Sequence, residues 1–137
     1  MMLIQDLNQY FTYWQGTHSS ISKSLKTVAE KLFVNQNFPQ TLNQEAALLF
    51  CGLVALAKIT KSLPLDYRGF HDALSNSAAL TNLIYKSLYD EKHDISHEHE
   101  KSLSAFVFGD SSKKNQIIYC ITQTLINANQ INASNNN

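Results

Sequence analysis

The chain has 137 residues, 44% of them hydrophobic, and its eleven basic and eleven acidic residues give a net charge of zero. This length is typical of one domain with its own core, and the composition excludes a globally disordered chain. Only four glycines and two prolines are present, which argues against the turn-rich all-β folds. We therefore predict an all-α protein, an irregular or orthogonal bundle of six or seven helices. It forms a single domain over residues 1–131, and the polar segment 132–137 is predicted to be a disordered tail.

The first two helices are predicted from apolar residues that recur at helical spacing. The first contains a stripe that ends before Gly16, and the second begins at Ser19 or Ser20 as N-cap. The stripe of the first helix is Leu3, Leu7, Tyr10, Phe11 and Trp14, and that of the second is Ile21, Leu25, Val28, Leu32 and Phe33. Tyr13 lies off the first stripe, so we expect it to be exposed and to be a candidate contact residue for a partner.

The most apolar part of the chain, residues 46–57, predicts a helix that other helices surround. We place this central helix at about 42–62, with Thr41 and Gln44 as a capping box and with its end before Pro64. The apolar run has 12 residues and is too short to span a bilayer, and the N-terminus lacks the pattern of a signal peptide. We therefore expect a cytoplasmic protein that does not bind membranes.

Three cap residues divide the rest of the chain into further helices. Asp66 begins a short helix, Asn76 or Ser77 begins the next, and Asp110 or Ser111 begins the last, after a stop at Gly109. The last helix carries the stripe Ile117, Ile118, Ile121, Leu125 and Ala128. No strand is predicted.

The two cysteines, Cys51 and Cys120, lie inside apolar runs and have no CxxC spacing. We interpret them as reduced core residues, because small buried thiols behave as apolar side chains. Whether they lie near each other stays open at this point.

Charge is balanced overall but concentrated locally. Residues 90–110 hold six acidic and two basic residues, a net charge of −4. The acidic residues of the first part of this segment are Asp90, Glu91, Asp94, Glu98 and Glu100. Acidic residues are favoured at a helix N-terminus, so a solvated helix start is one interpretation; a patch that docks a basic partner is the other. Nucleic acid is not an expected partner, because Arg68 is the only arginine and the lysines are scattered.

The stretch HDISHEHE, residues 93–100, contains three of the five histidines. The zinc motif HExxH fails here, because Lys101 stands where the second histidine is required. His97 and His99 lie two residues apart and so face about 200° apart on a helix. His99 continues the inner stripe Ile95, Leu103 and Phe106, and we expect it to be partly buried at the edge of the core.

A weaker alternative is a metal site formed by His93 and His97, which would share a helical face only if the helix already included His93. Asp94 or Glu100 would assist it. Our first hypothesis is that the protein has no metal, no cofactor and no catalytic residues. The sequence has no nucleophile elbow, phosphate-binding loop or dinucleotide fingerprint.

Two classes of function fit these features, with a third as a plainer alternative. The first is a small protein-binding module without catalysis, for example a bacterial immunity or antitoxin-like protein that neutralises a basic toxin such as a nuclease. Its expected contact residues are Asp90, Glu91, Asp94, His97, Glu98, Glu100 and Tyr13. The second is a metal-dependent or acid–base enzyme that uses His93 and His97, and the third is an oligomerising helical adaptor.

Overall fold

A computed structural model describes residues 7–16, 22–34, 37–91 and 93–135 of the chain. Across these residues the protein is all-helical, as predicted, with no strand. Seven α-helices and one π-helical turn follow one another as α1 Leu7–Gly16, α2 Ser22–Leu32, α3 Gln40–Ile59, α4 Tyr67–Leu74, α5 Ser77–Tyr85, the π-turn Lys86–Asp90, α6 His97–Val107 and α7 Ser111–Asn135. The sequence predictions for Leu3, Ser19, Ser20 and Ile21 lie outside the described residues.

Helix α3 is the centre of the bundle, as its apolar sequence predicts. It packs most extensively against α6, α7 and α2. By length and composition it could cross a membrane, but more than half of it is buried inside the fold, as in any core helix. It begins two residues before and ends three residues before the predicted bounds of about 42–62.

The ends of α3 are set by features that a capping-box pattern does not capture. Pro39 is the N-cap and gives no side-chain hydrogen bond, so Thr41 lies inside the first turn and does not cap the helix. At the other end the backbone of Thr60 is extended, and its hydroxyl accepts a hydrogen bond from the amide of Ser62 at 3.2 Å. This local turn competes with helix continuation and ends α3 earlier than predicted.

Three other predicted caps are confirmed. The side chain of Asp66 accepts from the Gly69 amide at 2.6 Å, and that of Asn76 accepts from the Ala79 amide at 3.1 Å. Asp110 likewise accepts from the amide of Lys113 at 2.8 Å. Each bond satisfies an amide that the first turn of a helix leaves without an intrahelical partner.

Aromatic rings join the first half of the chain around Phe50 of α3, which is fully buried. The ring centroid of Phe50 lies between 5.7 and 6.4 Å from those of Phe11, Trp14, Phe33 and Phe70. Edge-on packing of this kind adds to the free energy gained by burying apolar area. The Phe50 cluster therefore holds α1, the end of α2 and α4 against the central helix.

The second half is tied to α3 by α7 and α6. Cys120 of α7 is buried and free, and its thiol lies 3.4 Å from the side-chain oxygen of Asn43 on α3. Cys51 is also buried and free, which agrees with its prediction as a core residue. Helix α7 continues through Asn135, so its backbone extends into the segment 132–137 that was predicted to be a tail.

Helix α6 approaches α3 very closely at Gly52. A Cβ atom added there would lie 3.0 Å from both Leu103 Cγ and Ser102 Oγ. The Ser102 hydroxyl has two carbonyl acceptors within hydrogen-bond distance, that of His99 at 3.0 Å and that of Leu48, one turn before Gly52, at 3.2 Å. The absence of a side chain at Gly52 thus fixes the distance between the two helices.

We expect Gly52→Val to lower the free energy of unfolding by about 1–3 kcal/mol, the usual cost of overpacking a core. The matched control is Gly16→Val, because a Cβ at Gly16 meets no atom within 4 Å. That exposed substitution should change stability by about 0.5 kcal/mol or less. Urea unfolding of both variants measures the difference, and equal stabilities would contradict the tight approach of α6.

Candidate functional site

The acidic segment begins on the π-turn and crosses to α6 through a non-helical stretch. The amide of Glu91 donates to the carbonyl of Lys86 at 2.8 Å, and that of His93 donates to the carbonyl of Ser87 at 3.1 Å. Asp90 and Glu91 are exposed at the end of the π-turn, and Asp94 is exposed in residues 93–96. The π-turn was not predicted; such turns are rare and are frequent at functional sites.

The alternative metal site at His93 and His97 lacks the geometry it required. Helix α6 begins at His97, so His93 lies outside it and the two imidazoles do not share a helical face. The Nε2 atom of His93 instead lies 3.5 Å from a carboxylate oxygen of Glu91. Among the described residues, no group of three or more His, Cys, Asp or Glu side chains could hold a metal ion.

Helix α6 divides the predicted acidic patch between two sides of the molecule. Glu98, His99 and Ser102 line a pocket of about 1010 Å³ that α6 forms with α2 and α3. Glu100 is exposed and does not line this pocket; it lies two residues from Glu98 and so about 200° away around the helix. Glu98 and Glu100 are therefore close in sequence but face different sides of α6.

On the Glu100 side of α6, three aromatic side chains form an exposed cluster. Tyr85, Tyr89 and Phe108 are 44%, 37% and 69% exposed. The ring centroids are 5.0 Å apart for the two tyrosines, 6.5 Å for Tyr85 and Phe108, and 6.1 Å for Tyr89 and Phe108. The three rings thus form one apolar surface that solvent reaches.

Short-range features of the sequence position these rings. Tyr85 and Tyr89 lie four residues apart, from the end of α5 into the π-turn. Tyr89 Oη forms a hydrogen bond of 2.8 Å with Ser104 Oγ of α6. Phe108 is the C-cap of α6, where the helix stops before Gly109. Glu100, Ser104 and Phe108 are spaced four residues apart and so share one face of the helix end.

The aromatic cluster was not predicted from the sequence, although one signal for it exists. Leu80 and Ile84 are the buried positions of α5. Tyr85 and Tyr89 do not continue this buried stripe, so they face away from the core. Their contact with Phe108 joins residues that are about twenty positions apart in the chain, and no local pattern predicts that pairing. The cluster depends on how α5 packs against α6.

Tyr13 and His97 lie where their sequence patterns place them. Tyr13 is 56% exposed on α1, and His97 is exposed at the first residue of α6. Helix α1 has its main helix contacts with α7. A role for Tyr13 in binding stays a prediction.

His99 is half-buried, as predicted, and its surroundings keep it neutral. Burial lowers the pKa of His99 below its ordinary value of 6.5, and the nearby Glu98 carboxylate only partly opposes this. Burial also raises the pKa of the Cys51 thiol to about 12, with smaller contributions from Glu98 and Glu30. Cys51 is thus protonated at neutral pH and is a poor nucleophile.

Comparisons of this chain with protein-family models, with curated proteins and with solved structures found no match. Its function is therefore inferred from the residues and their geometry.

The lowered pKa of His99 predicts how stability changes with pH. Below about pH 6.5 the unfolded chain protonates this residue more readily than the folded chain does, so the free energy of unfolding falls as pH falls from there towards the folded pKa. His99→Gln removes this contribution and should lose less stability than the wild type between about pH 7 and about pH 5.

Urea unfolding at several pH values tests this difference. His97→Gln is the control, because His97 is exposed on the same helix; this variant should keep the pH response of the wild type. An identical pH response in His99→Gln and the wild type would show that burial of His99 does not affect its protonation.

Proposed function

We propose that this chain is a protein-binding module without catalysis of its own, which docks a basic partner. The contact site is an aromatic–acidic surface that we define by Tyr85, Tyr89, Phe108, Asp90, Glu91 and Glu100. The observation that carries the proposal is the exposed cluster of these three rings, with Asp90 and Glu91 directly after Tyr89 in the chain.

The aromatic cluster supports this function because such side chains act as anchors in protein interfaces. Tyrosine and phenylalanine are enriched in interfaces, and a few large side chains usually contribute most of the binding energy. Phe108 is the most exposed of the three, and its ring contacts both tyrosines. A partner that covers these rings would bury apolar area without rearranging the core. The hydrogen bond with Ser104 already holds the Tyr89 hydroxyl in place.

The carboxylates give the surface its preference for a basic partner. Asp90 and Glu91 directly follow Tyr89, and Glu100 is one turn of α6 before Ser104. Two lysines that are close in sequence to these carboxylates, Lys86 and Lys101, reduce the net negative charge of the surface. Carboxylates around an apolar centre speed association with a basic surface and contribute less to the lifetime of the complex.

The concrete form of this proposal is an immunity or antitoxin-like protein that occludes a basic bacterial toxin such as a nuclease. A helical module of this size with an exposed apolar and acidic surface suits steric occlusion. The partner is expected to be basic and its association to slow as salt is added, since exposed charges are screened. Capture from an extract of the source organism, with wild type and surface variants side by side, provides the partner for the measurements below.

We expect Phe108→Ala to weaken binding of the captured partner by about 2 kcal/mol, or about thirtyfold, mainly through faster dissociation. Its unfolding free energy should change by about 0.5 kcal/mol or less, because the ring is largely exposed. Surface plasmon resonance with the purified partner measures both rates. Tyr119→Ala is the control, an aromatic residue 58% exposed on α7, and it should bind as the wild type does. Unchanged binding by Phe108→Ala would place the interface elsewhere.

Because Glu98 and Glu100 lie on different sides of α6, the contribution of charge to association can be tested on each side separately. Glu100→Lys should slow association several-fold more than Glu98→Lys, although both variants change the net charge equally. The difference should shrink as salt rises from about 0.05 M to about 0.5 M. Stopped-flow association rates measure it, and equal rates for the two variants would show that the acidic residues act only through net charge.

A further inference from the structure

The pocket on the other side of α6 is not used by the proposed function. It lies between the second half of α2, the first half of α3 and the start of α6, and its volume is about 1010 Å³. Its apolar lining includes Ala29, Phe33, Phe38, Ala47, Leu48 and Cys51. Pockets that bind small molecules are concave, mostly apolar and roughly 300–1,000 Å³ in volume, so this one is at the large end of that range.

Charged groups from two helices surround the mouth of the pocket. Lys26 and Glu30 of α2 and Glu98 of α6 are exposed there, which gives a net charge of −1, since His99 is neutral. Among the described residues neither Glu30 nor Glu98 has an ion-pair partner within 4.0 Å. All three charged groups affect the Cys51 thiol: Glu98 and Glu30 raise its pKa and Lys26 lowers it.

We propose that this pocket binds an amphiphilic amine, with its hydrocarbon part against the apolar lining and its ammonium group beside Glu30 and Glu98. A hydrocarbon body matches the lining, because burial of apolar area drives its transfer from water. A cationic head matches the two carboxylates, whereas an anionic head would meet a net negative mouth. Lys26 lies one turn from Glu30 and offsets part of the negative charge at the mouth. Glu98 has no ion-pair partner among the described residues.

The side chains at the bottom of the pocket favour binding over reaction. Cys51 is protonated and His99 is neutral at neutral pH, so neither adds a charge that an apolar chain would have to desolvate. The site lies on the opposite side of α6 from the aromatic–acidic surface. The proposal is therefore independent of the partner-binding function.

The test uses decylamine, decanol and decanoate, three probes with the same chain and with cationic, neutral and anionic heads. All are kept below the concentrations at which they form micelles or separate from solution. Isothermal titration calorimetry on the full chain should show decylammonium binding at least about tenfold tighter than decanoate, with decanol between them. No detectable binding of decylamine at millimolar concentration would overturn the proposal.

Three variants connect this preference to the pocket. The double variant Glu30→Gln with Glu98→Gln leaves the cation of Lys26 in the lining, so it should bind decanoate more tightly than decylamine. Leu48→Lys adds a cation to a half-exposed position and brings the net charge of the lining to zero, so its affinities for decylamine and decanoate should lie within about twofold of each other. Ala47→Phe narrows the pocket and should weaken binding of all three probes by at least about tenfold.

The controls separate loss of the site from loss of the fold. Ala78→Phe, at an exposed position of α5, should bind decylamine as the wild type does. Circular dichroism and urea unfolding establish that each variant is folded; if Ala47→Phe is not, Leu48→Lys decides the test. Equal affinities of the wild type for all three heads, or wild-type affinity for decylamine in folded Ala47→Phe, would overturn the proposal.

Discussion

The close approach of α6 to α3 at Gly52 is the contact on which both surfaces depend. A Cβ atom at Gly52 would lie 3.0 Å from Leu103 and Ser102, and Ser102 donates to the Leu48 carbonyl beside it. Overpacking is costly in a close-packed interior, so the position of α6 is fixed within a narrow range. This position closes the pocket on one side of the helix and places Ser104 within reach of Tyr89 on the other.

A single helix therefore serves two surfaces of different character. On the pocket side, Glu98 lines an apolar cavity; on the other side, Glu100 is exposed one turn before Ser104, which forms a hydrogen bond with Tyr89. A carboxylate next to an apolar concavity favours a ligand that combines a hydrocarbon body with a cation. A carboxylate next to an exposed aromatic cluster favours a macromolecule with a basic surface. The same residue type thus takes different roles through a rotation of about 200° around one helix axis.

The sequence predicted the features that depend on neighbours in the chain. Helical periodicity identified α3 as the core helix, and Asp66, Asn76 and Asp110 were correctly predicted as caps, because a cap needs only an amide three residues away. Other features depend on contacts between distant residues. The contact of Tyr85 with Phe108 joins α5 to the end of α6, and the pocket needs α2, α3 and α6 together. The acidic residues looked like one patch because sequence distance does not show which side of a helix each occupies.

The protonation states of Cys51 and His99 bear on which ligands the pocket favours. Acid–base and nucleophilic catalysis need groups whose pKa lies near the working pH, and active sites use charge partners to bring it there. Here burial is the main effect on both groups: it raises the pKa of Cys51 to about 12 and lowers that of His99. Both shifts favour the neutral form, and the Glu98 and Glu30 carboxylates add to the shift of Cys51. A thiolate–imidazolium pair is disfavoured in such a place, while an apolar ligand loses little by entering it. The packing of α6 against α3 therefore keeps these two groups of the pocket neutral, which suits the ligand proposed for it.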